Sequence, residues 1–297
     1  MIIESKGKLA DGLYAIGSAD LPAFLLLGEQ PALFDAGMTF MGPLYLEGLK
    51  EHLGDAGRLR YLFLTHSHFD HSGAAPYLKR NIAGLTVGAH QLAAETFKKP
   101  HAVELMRSLS RDSEEKYRDL IGGENIVFDA LPVDIVLTDG QEIDLGGDLS
   151  FRVIATPGHT KDSVSLYIPR LKALITGEAA GVYDRNLTTH PQYLSSYTDY
   201  MASLEKMVSL DVDIIMMAHH YTLTGDDART YMPKAIETAR QYRERIVRYL
   251  GELHGDREGV VRRIYREDYE ETGAIMQEAR PFLINLAAKV KVVAENR

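Results

Sequence analysis

Thr65-His66-Ser67-His68-Phe69-Asp70-His71-Ser72-Gly73, residues 65–73, gathers three of the chain's eleven histidines and one carboxylate. It follows Arg60-Tyr61-Leu62-Phe63-Leu64, a short aromatic and aliphatic run that predicts a buried strand, so the cluster leaves a strand end and opens a loop. Extended backbone puts side chains two apart on one side, which lets His66 and His68 converge on one ion while Asp70 and His71 face elsewhere, as a second site needs. A single His beside an Asp is ordinarily solvated. Four such groups in this register compete for water and cost desolvation when buried unpaired, so they predict metal binding. Further ligands must then come from downstream, because known catalytic zinc sites use about three protein ligands per ion.

Candidates recur at predicted strand ends. His159 lies in Thr156-Pro157-Gly158-His159-Thr160, Glu178 follows Ala173-Leu174-Ile175-Thr176-Gly177, and His219-His220 follows Val212-Asp213-Ile214-Ile215-Met216-Met217-Ala218. Singly each is weak. Together with the first cluster they supply the number of ligands that two adjacent metals require.

Composition narrows the class. With 297 residues, 45% hydrophobic and 25% charged, the chain is ordinary for a globular protein of one large or two smaller domains. A formal charge of −9 argues against nucleic-acid binding as the main activity. The absence of cysteine removes disulfides, thiolate ligands and a cysteine nucleophile, so any metal is held by nitrogen and oxygen. The first residues, Met1 to Asp11, carry acidic side chains and no long apolar core, and no apolar run approaches the roughly 20 residues that span a bilayer. A cytoplasmic protein without membrane partners is the expectation.

Leu13–Ile16, Ala23–Leu27 and Pro31–Phe34 read as a β-meander, ending in Asp35-Ala36-Gly37, and Pro43–Leu53 as a helix returning to the Arg60 run. Helix is expected from Gly73 to Asn81, strand at Leu85–Ala89, and charged helix from Gln91 to Leu120, where His101 is read as solvated. A second group of strands is expected at 126–128, 135–137, 141–145, 149–154, 164–168 and 173–175, separated by Asp139-Gly140 and Gly146-Gly147-Asp148 turns. Two strand-rich halves, each with helices, predict an α/β protein of two sheets packed face to face with helices outside. Beyond residue 225, amphipathic helices are expected over Arg229–Leu253, Val260–Tyr269 and Ala279–Ala294. The apolar stripe of the last one suits the core, a lid over the site or a homodimer.

The pattern resembles the metallo-β-lactamase superfamily, whose HxHxDH loop, distant His, bridging acid and last His bind two metals at the edge of an αβ/βα four-layer sandwich. The resemblance covers residues 9 to about 225 and, with the helical tail, is greatest for the quinolone-signal response branch, whose C-terminal helices lie over the active-site entrance. It implies a catalytic domain at 1–225 and a helical extension at 226–297 covering that entrance. It also implies that His66, His68 and His159 hold one metal, that Asp70, His71 and His219 hold the other, and that Glu178 lies between them. Asp35 would support the metal loop from behind. The family usually has Asp where this chain has Glu178, and the extra methylene leaves three outcomes open: bridging at altered separation, holding one metal, or lowering activity. A Gly is common where this chain has His220, leaving His220 as a partner of the ligands or a substrate contact.

The function expected is dinuclear hydrolysis of a carboxylic ester, thioester or lactone by a metal-activated bridging water, with Asp70 as ligand and orienter of the nucleophile. Two divalent ions, zinc or iron with manganese as the third option, and a small-molecule acyl substrate are implied. Tyr193, Tyr197 and Tyr221 flank Glu178 and His219 in sequence and are candidate hydroxyls for an oxyanion. The rival readings are a phosphodiesterase and a metabolite-sensing binding protein with weak hydrolase activity.

Overall fold

A computed structural model describes residues 1–295, so residues 296 and 297 of the expected extension lie outside the description. The first half contains β1 (Ile2–Glu4), β2 (Gly7–Ala10), β3 (Leu13–Gly17), β4 (Pro22–Leu26), β5 (Ala32–Phe34), α1 (Gly42–Leu53), β6 (Tyr61–Phe63), α2 (Phe69–Ser72), α3 (Ala75–Asn81), β7 (Thr86–His90), α4 (Gln91–Thr96), α5 (Pro100–Lys116), α6 (Arg118–Ile121) and β8 (Ile135–Leu137). The second contains β9 (Glu142–Asp144), β10 (Ser150–Ala155), β11 (Val164–Ile168), β12 (Ala173–Ile175), β13 (Val182–Tyr183), β14 (Thr189–His190), α7 (Tyr197–Val208), β15 (Ile214–Met216), β16 (Tyr221–Thr224), α8 (Asp226–Glu252), α9 (Arg257–Tyr265) and α10 (Ala279–Glu295).

Among the described residues two seven-stranded sheets form, ordered β2-β3-β4-β5-β6-β7-β8 and β1-β16-β15-β12-β11-β10-β9. β3, β4 and β5 make the expected antiparallel meander, and from β5 to β8 the pairing turns parallel. Period-two alternation builds the layers. On β4, Phe24 and Leu26 enter the core between the sheets, while Ala23 and Leu25 face the core beneath α1 and α3. Between the sheets Phe63 meets Phe151 edge-on, with ring centroids 4.7 Å apart, and Phe34 meets Phe151 at 5.4 Å. A third core lies under α7, α8, α9 and α10 and runs from Ile154 to Val293. The result is the αβ/βα sandwich with added C-terminal helices.

The elements depart from expectation at several points. Residues 126–128 form no strand: Ile126 and Phe128 are buried, but the carbonyls of Asn125 and Val127 accept from the Arg80 guanidinium instead of a ladder. β8 joins the first sheet, parallel to β7, rather than the second. β1 crosses the other way and pairs with β16. The helix expected from Gly73 starts earlier as the short α2, so Asp70 and His71 sit on a helical turn. α7 is an unforeseen helix, capped by the Ser196 hydroxyl on the Asp199 N–H and buried through Tyr200, Ser203, Leu204 and Met207.

Candidate metal centre

The histidine loop emerges from β6 at the seam between the two sheets. Thr65 holds that seam: its carbonyl accepts from Val164 N at 2.8 Å, and its N–H and hydroxyl donate to the two Asp35 oxygens at 2.8 Å each. Asp35 adopts a left-handed backbone (φ 59°), a conformation costly outside glycine that turns its carboxylate under the loop. Two residues after Thr65, the loop is fixed from the β10–β11 connection, with Ser67 N donating to Asp162 Oδ2 at 2.8 Å.

The structure brings together all seven residues expected as ligands. His66, His68, His159 and Glu178 form one group, and Asp70, His71, Glu178 and His219 another; within each, one nitrogen or oxygen per residue lies within 4.8 Å of the others. Glu178 belongs to both. Its Oε2 lies 2.8 Å from His159 Nε2 and its Oε1 3.0 Å from His219 Nε2, so its two oxygens face opposite halves. The His68 Nδ1 and His159 Nε2 atoms approach to 3.0 Å.

The outward ring nitrogens are tied down. His66 Nδ1 lies 3.0 Å from the Thr65 hydroxyl, His71 Nδ1 3.0 Å from Asp35 Oδ2, His159 Nδ1 2.9 Å from the Gln192 carbonyl and His219 Nδ1 2.8 Å from the Asp20 carbonyl. The Thr65 hydroxyl is spent as donor to Asp35, and the other three partners are acceptors, so each Nδ1 carries a proton and Nε2 is the nitrogen left to face inward. His66 Nε2 and His71 Nε2 are buried with no hydrogen-bond partner. Such atoms are costly unless something occupies them, and a divalent cation fits this donor set of imidazoles and carboxylates.

Electrostatics follow the same division. Burial, reinforced by the neighbouring histidines, holds His66 well below its ordinary value and His68 down at about 4, so both are neutral ligand forms. Burial also opposes charge on His71, but the Asp35 carboxylate outweighs it through charge and hydrogen bond and raises the ring to about 9. At Glu178, burial disfavours the anion, yet the charges and hydrogen bonds of His159 and His219 hold the carboxyl well below the usual range.

A cavity of about 420 Å³ opens onto Asp70, Glu178 and His219. Met41 and Phe69 line it near the loop, Leu109 and Tyr117 come from α5 and its end, and Ile275 and Phe282 from the C-terminal region. Across its rim Lys116 pairs with Glu278 at 3.3 Å and Arg280 with Asp112 at 3.8 Å. A wider groove of about 660 Å³ beside α8, lined by Tyr183, Asp227 and Lys234, contains none of the ligand candidates.

His220 also lines the cavity, paired through Nδ1 with Asp20 at 3.0 Å, and its left-handed φ of 61° accounts for why glycine suits that position. Tyr193, Tyr197 and Tyr221 do not line it. Tyr193 is fully buried against Tyr197 and Tyr200, Tyr197 lies under the Arg243 guanidinium, and Tyr221 sits on β16 beside His220. His101, read as solvated, is exposed. His190, Gln192 and Asp184 face the cavity and were not foreseen. The one signal in the sequence was two polar residues flanking a proline in His190-Pro191-Gln192, with no apolar run before them to mark a strand end.

The metallo-β-lactamase superfamily model matches residues 22–219. Human acyl-coenzyme A thioesterase is 32% identical over 224 residues, covering 70% of this chain and 76% of that protein. A metallo-beta-lactamase fold-containing protein from Sulfurisphaera tokodaii is 32% identical over 169 residues, 54% of this chain, and the match spans 60% of its length. Among solved structures, a metallo-beta-lactamase family protein from Thermus thermophilus superposes with a TM-score of 0.69 over 97% of this chain and 95% of that one, at 20% identity, a likeness of fold. The matched segment contains every one of the converging ligand candidates, and the chain belongs to the metallo-β-lactamase superfamily.

Proposed function

We propose that this protein is a dinuclear metal-dependent hydrolase of carboxylic esters, thioesters or lactones. The observation that carries the reading is the pair of buried, unpartnered nitrogens, His66 Nε2 and His71 Nε2, in two ligand groups that share Glu178. His66, His68 and His159 would hold one ion and Asp70, His71 and His219 the other, with Glu178 reaching both. Bound divalent ions, zinc or iron foremost, supply polarisation of a carbonyl oxygen and a water acidified toward neutrality. Asp70, 3.8 Å from His219 Nε2 and on the cavity wall, is placed to help hold an ion and would orient an attacking water and accept its proton. Residues 226–297 act as an extension of a catalytic domain at 1–225, since the 275–284 segment forms part of the cavity wall above the ligands.

The mainly apolar wall, with its rim cations already paired to acids, favours an acyl substrate over a phosphodiester. The thioesterase named among the relatives supports the same class. The test is hydrolysis of a panel of acyl thioesters, aryl esters and lactones before and after chelation, with metal counted in parallel. Activity that is lost on chelation and returns with about two ions per chain is expected. Full activity in the stripped protein would overturn the assignment, and tight binding of acyl compounds without turnover would favour a sensing protein. Glu178→Asp should lose one ion and at least about tenfold in rate, as removing a ligand's reach costs metal affinity of that order. Unchanged metal content and rate would remove Glu178 from the bridging position.

A further inference from the structure

Lys289 is a buried base that takes no part in either ligand group. It lies on α10 with 1% of its surface exposed, on the buried stripe of Phe282, Leu286, Lys289, Val290 and Val293 that packs against α8 and α9. Among the described residues its ammonium makes one hydrogen bond, to the Pro191 carbonyl at 2.9 Å, and it stands over the Tyr242 ring at 5.3 Å. An apolar side chain would fill that stripe without the cost of burying a charge. The charge acts at Pro191.

The segment that begins there has little else to hold it. β14 pairs with β13 as far as His190, and Pro191, which lacks an N–H, ends that ladder; α7 starts only at Tyr197. In between, Gln192 N reaches the Tyr200 hydroxyl at a long 3.4 Å, and Ser195 N and Ser196 N donate to the Gly158 carbonyl at 3.0 and 3.2 Å. The Gly158 contacts fix the main chain ahead of His159, not its ring. The ring is oriented by His159 Nδ1 on the Gln192 carbonyl at 2.9 Å, one residue past the carbonyl that Lys289 grips. His66, His71 and His219 lean instead on Thr65, Asp35 and Asp20, which lie at strand ends or in a hairpin of the first sheet. His159 leans on a segment outside both sheets.

We propose that Lys289 is a positioning residue for the first ligand group: through the Pro191 carbonyl it holds the Gln192 carbonyl, and so the His159 ring, in the orientation that lets His159 Nε2 share an ion with His66 and His68. This rests on the dinuclear reading above, and it makes the C-terminal extension a support of the metal centre as well as a wall of the cavity. The sign of the effect separates position from charge. Lys289 lies within electrostatic reach of Glu178, so charge alone would make Lys289→Met tighten both ions, whereas position makes it weaken the ion that His159 holds and spare the other.

The experiment titrates zinc into the metal-free full chain against a chromogenic chelator, resolving the two affinities. Before metal is added, magnetic resonance of protein with isotopically labelled histidine records the Nδ1–H signals, the His159 signal being the one lost in His159→Gln. Lys289→Met should weaken one ion by about tenfold, leave the other within about twofold, and speed solvent exchange of the His159 Nδ1–H by at least about tenfold while the His71 and His219 signals keep their rates. Val293→Ala, on the same buried stripe, loosens α10 without touching Pro191 and should leave both affinities within about twofold. Should Lys289→Met not fold, Lys289→Gln, which keeps a donor but ends one atom short of the carbonyl, carries the same prediction. Two tightened ions, two unchanged ions, or equal weakening by Lys289→Met and Val293→Ala would overturn the positioning role. A wild type that takes up no zinc would refute the dinuclear reading, and the His159 signal of the metal-free protein would still decide the role of Lys289.

Discussion

Asp35→Asn removes one charge and changes almost no volume, and it is expected to disable His71 as a ligand without touching the cavity. The wild-type carboxylate only accepts hydrogen bonds, so it fixes a proton on His71 Nδ1, 3.0 Å away, and makes Nε2 the atom that gives up its proton when a cation binds. Asparagine can keep its oxygen on Thr65 N, but it then turns its amide N–H toward His71. The ring must accept there and carry its proton on Nε2, the atom that has no other partner. That tautomer cannot bind a cation. Metal affinity should fall by about 10–100-fold, or roughly 1.4–2.7 kcal/mol, measured by competition with a chromogenic chelator.

The same substitution has a signature in the metal-stripped protein. His71 is raised from 6.5 to about 9, which at 1.36 kcal/mol per pH unit is about 3 kcal/mol. For a base whose folded value lies above its unfolded one, this stability is fully present below pH 6.5 and is lost as pH rises through about 9. Urea denaturation across that window should show the decline in the wild type and a flatter profile in Asp35→Asn. A variant that binds metal within twofold of the wild type and keeps the full slope would refute the tautomer argument.

Lys289 is a buried base held from 10.5 down to about 8, by burial foremost, so its contribution has the opposite sign: stability rises with pH between those values, by about 3 kcal/mol, because the unfolded chain keeps a proton the folded one releases. Lys289→Met should abolish that rise in denaturation profiles; an unaltered slope would show that Lys289 is not its source. Gly158→Ala places a Cβ 2.4 Å from the Tyr200 backbone at φ 131° and should cost about 3 kcal/mol in denaturant unfolding while weakening the site through its neighbour His159. Paired Asp112→Asn and Glu278→Gln should leave kcat/KM within about threefold, since both rim ion pairs are exposed and screened by solvent. A tenfold change would mean that charges, not apolar contacts, set the geometry of the rim.

The site was more legible than the framework around it, for a physical reason. In a chain without cysteine, candidate ligands must be histidines or carboxylates, so His66, His68, Asp70, His71, His159, Glu178 and His219 stand out after predicted strands whatever the surrounding residues do. The partners that orient them are unconstrained in type, because any acceptor will hold an Nδ1–H. Asp20 and Gln192 do so through main-chain carbonyls, which carry no mark in the sequence. The tyrosines failed for the converse reason: nearness in sequence to Glu178 and His219 says nothing of side-chain direction, and Tyr193 points into the helical core. Strand exchange was equally silent, since Ile2–Glu4 and Ile135–Leu137 have the composition of strands for either sheet, and pairing is decided by distant edges.

Glu178 brings the two halves of the argument together at Thr65. Gly177 must be glycine, because its φ is 50° and a Cβ there would lie 2.9 Å from the Thr65 hydroxyl oxygen. The end of β12 therefore closes directly on the residue that begins the histidine loop, and the next side chain, Glu178, is delivered between His159 and His219. Thr65 at the same time takes Val164 N from β11 and donates to Asp35 at the end of β5. Two sheets and both ligand groups are registered on one buried threonine. Both Glu178 oxygens find histidine partners from this fixed starting point, and the contacts that set the separation of the two groups are the ones that join the sheets.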